Sequence, residues 1–177
     1  MIRIDLLHDI DKFESLKAGD LVYLSGIVYT ARDAAHLRMK KLIDDHKELP
    51  FDLKNNGIYY VGPCESQPGM IYGSAGPTTS SRMDVYTPEL LDLGLKFCIG
   101  KGRRSKEVKD ALVRNSALYF IAAGGAGALY ANCVTKVENV AFEDLLSESI
   151  KKLTIKDNWK YSKVKELDHD ESIKEID

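Results

Sequence analysis

Short apolar runs, several of them cut off by glycine, alternate with amphipathic stretches along most of this 177-residue chain, and that alternation restricts the fold more than any other feature. Leu21 to Tyr29 is apolar and β-branched and predicts a strand after the Lys17-Ala18-Gly19-Asp20 turn. Arg32 to His46 sets Ala35, Met39 and Leu42 at helical spacing, with Lys40, Lys41, Asp44 and Asp45 largely on the wet side. Pro50 and Asn55-Asn56-Gly57 mark a loop and turn. Ile58 to Val61 and Met70 to Ser74 predict two further strands. The second runs into Gly76-Pro77-Thr78-Thr79-Ser80-Ser81-Arg82, a segment suited to capping and opening a helix. Thr87 is expected to cap a short helix with Pro88 at its first position. Leu95 to Ile99 and Ala117 to Ala122 predict strands, separated by a helix that Ser105 caps and that carries Val108, Ala111 and Leu112 on one side. Ala141 to Leu146 suggests a short helix. Alternation of this kind argues for an α/β domain, a central sheet with helices packed on it. Strand order and closure of the sheet do not follow from periodicity.

Composition narrows the partners. A formal net charge of -2 supplies no long-range field for nucleic acid or an anionic membrane surface. No stretch is long and apolar enough to span a bilayer. Met1-Ile2-Arg3-Ile4-Asp5 carries charges where a secretory leader needs an apolar core, so none is expected. The length suits one domain with a real hydrophobic core, expected over 1–165, followed by an acidic tail over 166–177. Cys64, Cys98 and Cys133 are odd in number and far apart, which fits reduced thiols and a cytoplasmic setting. No C-x-x-C pair seats two ligands on one loop. A three-thiolate cluster would need all three to converge by tertiary folding, so any iron is expected on a partner and no metal on this chain.

Four segments hold the chemistry-bearing side chains. In Tyr29-Thr30-Ala31-Arg32-Asp33-Ala34-Ala35-His36 a strand delivers Arg32 to the start of a helix, where a guanidinium can grip a carboxylate through two parallel hydrogen bonds. His36 lies one turn on and is expected to face the same way. In Gly73 to Asp84, hydroxyls at 78–81 and Arg82 follow a Gly-Pro turn, a convergence of donors suited to an anion. The spacing is not that of a P-loop. Lys101 stands between Gly100 and Gly102 at a strand end, a point charge on a backbone that a ligand can approach. Ala122 to Ala128 falls short of a dinucleotide fingerprint and reads as tight strand-to-helix packing or a wall of the site.

Together these segments resemble the β subunit, or C-terminal domain, of class I fumarases and L-tartrate dehydratases, from about Gly19 to about Leu146. The most specific piece is Gly76-Pro77-Thr78-Thr79-Ser80-Ser81-Arg82-Met83-Asp84, with the stretch ending at His36 and the Gly-Lys-Gly of 100–102 in the expected order. The resemblance implies a swivelling β/β/α domain. It also implies a larger α subunit whose three cysteines hold a [4Fe–4S] cluster, an α2β2 assembly, and an active site between the halves. It places Arg32, Thr78, Arg82 and Lys101 in a dicarboxylate pocket, with Thr78 a candidate base and His36 in a catalytic or orienting role. Cys64 falls where the family's sequence is loose. The implied activity is reversible hydration of fumarate to L-malate. Tartrate dehydration is the alternative, and a non-catalytic dicarboxylate-binding module is the rival from another class. The Gly100 to Ser105 and 124–126 segments look more fumarase-like.

Overall fold

The structure, a computed structural model, describes residues 2–164, with side chains described through residue 156. The expected boundary at 165 and the acidic tail over 166–177 lie outside the described residues. Five strands, β1 (Ile2–Asp5), β2 (Leu21–Thr30), β3 (Gly57–Tyr59), β4 (Phe97–Gly100) and β5 (Leu118–Ala122), run parallel, each pairing with the next. β6 (Val134–Ala141) and β7 (Ile150–Val164) form an antiparallel pair. β7 also pairs antiparallel with β2 along most of its length and with β5 near its end. The sheet therefore curls back on itself, from β2 through β3, β4, β5 and β7 to β2 again.

Strand residues point alternately to two cores, which explains why the central strands read as unbroken apolar runs. Tyr59, Phe97, Ile99, Leu118 and Phe120 face the antiparallel layer, joined by Val134, Leu153, Ile155 and Phe13. Ile58, Tyr60, Cys98 and Tyr119 face the helices. α1 (Asp33–Asp44), α2 (Thr87–Asp92) and α3 (Lys106–Arg114) cover that second face through Ala35, Met39, Leu90, Leu91, Val108 and Ala111. A short α4 (Gly127–Asn132) closes the first core with Tyr130. The result is a mixed α/β domain of three layers, antiparallel sheet, parallel sheet and helices, as expected of a swivelling β/β/α domain.

Several elements depart from the sequence reading. Met70 to Ser74 is not a strand, because the 62–79 connection folds back on itself: Cys64 N–H donates to Ser74 O at 3.0 Å. Thr87 does not cap α2. Its hydroxyl donates instead to Met83 O at 2.9 Å, and Tyr86 occupies the cap position. Ser105 does cap α3, accepting from Val108 N–H at 3.4 Å. The helix expected at 141–146 is a 3-10 segment over Glu143–Glu148, kinked at Leu146.

Candidate active site

Parallel strands send all their carboxyl ends to one edge of the sheet, the usual place for ligands in open α/β folds. Each segment singled out in the sequence follows such an end. β2 leads to Arg32, β3 to the loop that carries Thr78 and Arg82, β4 to Lys101, and β5 to the glycine-rich turn before α4. The loop is stitched across this edge. Thr78 N–H donates to Tyr60 O at 2.7 Å, Ser80 N–H to Lys101 O at 2.9 Å, and Ala75 N–H to Gly127 O at 3.0 Å. Thr79 and Lys101 form a parallel bridge.

Gly100 is required for this approach, since a Cβ there would lie 2.0 Å from Ser80 Oγ. The four hydroxyls do not converge on one point, as the sequence suggested. Residues 80–83 make only a single 3-10 turn, and Ser80 is turned inward to hydrogen-bond Tyr119 Oη at 2.8 Å. Thr78 is half-buried and Thr79 exposed.

Two guanidiniums meet at the rim. Arg82 donates from Nε to Asp33 Oδ1 at 2.9 Å, and its Nη2 lies 2.9 Å from Asp33 Oδ2. Arg32 donates from Nη2 to Glu148 Oε1 at 2.9 Å, and its Nε is 3.7 Å from Asp33 Oδ2. The other oxygen of Glu148 accepts from Ala34 N–H at 2.8 Å, so one carboxylate caps α1 and holds Arg32. Arg32 also lies against Gly62, where a Cβ would come within 2.6 Å of Nη1. Lys101 makes no ion pair or side-chain hydrogen bond among the described residues.

His36 does not share this rim. Arg32 is the extended residue before α1, whereas His36 lies within the helix and is fully buried beneath it. Its Nδ1–H donates to Arg32 O at 2.8 Å, and its ring packs edge-on to Tyr60. Burial drives its pKa down to about 4, the hydrogen bond to the Arg32 carbonyl opposes the fall, and the nearby Arg104 charge adds to it. At neutral pH His36 is uncharged, and its Nε2 has no hydrogen-bond partner among the described residues.

Below the rim lies a polar floor that the sequence reading missed. Arg104 is buried, with Nε on Asp84 Oδ1 at 2.7 Å, Nη2 on Thr87 Oγ1 at 2.8 Å, and both terminal nitrogens 3.3 Å from Tyr60 Oη. Its guanidinium lies 5.1 Å and 4.9 Å from the ring centroids of Tyr60 and Tyr119. Asp84 Oδ2 accepts from Ser105 N–H at 2.6 Å. Burial works against the guanidinium charge, but the Arg104 pKa rises, and at neutral pH the anion that faces it is Asp84. Burial also pushes both phenols up, so they stay protonated. This floor fixes the rim through the backbone. Tyr60 receives Thr78, and Tyr119 Oη donates to Gly102 O at 3.0 Å beside Lys101. Arg103 and Arg104 are adjacent and chemically alike, so local sequence gave no signal of which one turns inward. Glu148 lies 116 positions from Arg32, beyond any local pattern.

The thiols are dispersed. Cys64 is exposed on the loop after β3, Cys98 is buried inside β4, and Cys133 is partly buried at the end of α4. Among the described residues no group of three or more His, Cys, Asp or Glu side chains is placed to hold a metal ion. The described residues therefore bring together no ligand set for an iron–sulfur cluster.

A family model described as fumarase C-terminus matches residues 1–164. The chain is 40% identical over 136 residues to a Methanocaldococcus jannaschii protein named "Putative L(+)-tartrate dehydratase subunit beta", a match covering 75% of this chain and 70% of that one. It is 39% identical over 136 residues to the anaerobic class I fumarate hydratase of Escherichia coli, covering 76% of this chain but 25% of the enzyme. Against fumarate hydratase 2 of Leishmania major it is 35% identical over 162 residues, covering 88% of this chain and 28% of the relative. The chain thus spans about a quarter of these fumarases' length and most of the tartrate dehydratase subunit. On the family match and these relatives, the chain belongs to the fumarase C-terminus family, the C-terminal domain related to class I fumarases and tartrate dehydratases.

Proposed function

We propose that this chain is the β subunit of a two-subunit iron–sulfur hydro-lyase that hydrates fumarate reversibly to L-malate in the cytoplasm. The observation that carries this reading is the meeting of Arg32 and Arg82 around Asp33 at the carboxyl edge of the sheet, in a chain of the fumarase C-terminus family. Two guanidiniums and Lys101, which has no ion pair among the described residues, suit a small dianion. The partner is an α subunit that holds the [4Fe–4S] cluster, assembled as α2β2. This chain supplies binding and charge stabilisation, and no step assigned to it passes through the cluster. Arg82 takes one carboxylate of the substrate. Arg32 and Lys101 oppose the negative charge that builds on a carboxylate as the neighbouring carbon loses its proton. Thr78 is the candidate base. His36, neutral and tied to the Arg32 carbonyl, orients rather than transfers a proton.

A partner at this edge also has surface to cover. Met70, Ile71, Val85, Leu129 and Leu146 are exposed in the segments that follow β3, β5 and β6. Tartrate dehydration is the second reading, favoured by the relative whose length this chain covers best among those described. The test is to tag the chain in its native cells, purify it without oxygen, and assay fumarate hydration and iron in what co-elutes. Activity that travels with an iron-bearing partner, and is lost when the chain is isolated, is expected. Activity from the isolated iron-free chain overturns the two-subunit reading. An intact iron-bearing complex that turns over tartrate but not fumarate selects the alternative.

A further inference from the structure

Arg82 is gripped from one side. Arg82 donates from Nε to Asp33 Oδ1 at 2.9 Å, and its Nη2 lies 2.9 Å from Asp33 Oδ2 as an ion-pair contact without a second hydrogen bond. The terminal fork, formed by Nη1 and Nη2, has no hydrogen-bond partner among the described residues, and the side chain is 54% exposed. The same carboxylate stands 3.7 Å from Arg32 Nε, so one acid faces both cations. Asp33 is itself well fixed. It is the first residue of α1, where the helix terminus favours negative charge. The preceding carbonyl, that of Arg32, is bound by both His36 N–H at 2.9 Å and His36 Nδ1 at 2.8 Å.

We propose that Asp33 is a positioning residue that holds Arg82 by its lateral edge so that the terminal fork faces a carboxylate of the ligand. It also lowers the repulsion between Arg82 and Arg32, adding to the charge that Glu148 already sets against Arg32. This rests on the dicarboxylate reading above. A half-exposed ion pair of this kind adds little to folding stability. Its loss should therefore register in ligand binding and hardly at all in the denaturation midpoint.

The experiment uses two preparations, the 15N-labelled full chain and the co-purified complex. In the full chain the Arg82 Nε–H resonance is expected to be protected from exchange at neutral pH, and Asp33→Asn should remove that protection. In the complex Asp33→Asn is expected to raise the KM for fumarate about tenfold, with kcat held within about twofold. Asp33→Glu should restore part of the loss. The double variant Asp33→Asn/Arg82→Ala should be no worse than Arg82→Ala alone, because Asp33 acts through Arg82. Unchanged exchange in Asp33→Asn, a fall in kcat at constant KM, or additive losses would each overturn the proposal. Failure of the complex to turn over any hydroxy-acid removes the functional reading instead. The exchange measurement does not depend on turnover and still decides whether Asp33 holds Arg82.

Discussion

Arg104 and Arg82 are 22 positions apart and sit in opposite circumstances. The Arg104 side chain is 2% exposed, ion-paired to Asp84, hydrogen-bonded to Thr87 and Tyr60, and flanked by two tyrosine rings. The Arg82 side chain is 54% exposed, with one edge on Asp33 and the other open. A guanidinium taken out of water needs an opposite charge and partners for its N–H groups, or its burial is strongly unfavourable. Once so satisfied it has little left to offer a ligand. A guanidinium at the rim keeps a free fork because water serves it until a ligand arrives. The floor thus builds the site and the rim uses it, and the same side chain performs both tasks by virtue of placement.

The sharpest way to break this comparison is to remove the buried arginine. Arg104→Ala leaves the Asp84 carboxylate, 11% exposed, without its guanidinium and empties the space between Tyr60 and Tyr119. Breaking a buried pair by deleting one partner should cost roughly 3–5 kcal/mol. Urea denaturation of the full chain reads this as a large fall in the transition midpoint. A loss no bigger than that of a surface ion pair would mean that Arg104 is not the structural member of the two.

His36 gives a second, slightly smaller effect and is read by pH. Its pKa is about 4 in the folded chain, against 6.5 for an ordinary histidine. Between those values the unfolded chain binds a proton that the folded chain refuses. Stability is therefore unaffected above pH ~6.5 and falls as pH drops from there toward ~4, by roughly 3 kcal/mol in all for this group. Midpoints measured across that window should show the slope in the natural chain and a flatter one in His36→Gln. If the two slopes coincide, His36 is open to protons and an acid–base role returns.

How far the sequence led differs between rim and floor for a physical reason. The three parallel strands from β3 to β5, with α1 and α3, were legible because a strand buried on both faces and an amphipathic helix each leave a local pattern. Arg32 and Lys101 were expected at strand ends and lie there, whereas Thr78 and Arg82 were expected after a strand at Met70 to Ser74 that is absent, and only the family resemblance grouped the four. The floor was not legible, because Arg104 looks like one more cation in a basic turn and its partners Asp84, Thr87, Tyr60 and Tyr119 come from separate connections and strands. The strand expected at Met70 to Ser74 failed for a related reason: its residues have β propensity, but no neighbouring strand is present to pair with. His36 was placed on the rim by counting one helical turn back to Arg32. Arg32 precedes the helix with φ -133° and ψ -151°, so the count does not apply.

The smallest expected effect on stability separates the two regions most cleanly. Arg82→Ala removes an ion pair whose members are 54% and 33% exposed, and surface pairs of this kind contribute at most about 1 kcal/mol. The urea midpoint of the full chain should hardly move. In the co-purified complex the same change deprives a substrate carboxylate of a bidentate partner, and KM should rise by about tenfold or more. Thr78→Ala should instead lower kcat with a smaller change in KM, as expected of a group that acts on the proton rather than on the carboxylate. The four readings only make sense together. Arg104 should move stability, Arg82 should move KM, Thr78 should move kcat, and His36 should move the acid limb of stability. If Arg82 moved the midpoint as far as Arg104 did, exposure would not have sorted the two arginines, and the division between floor and rim would have to be given up.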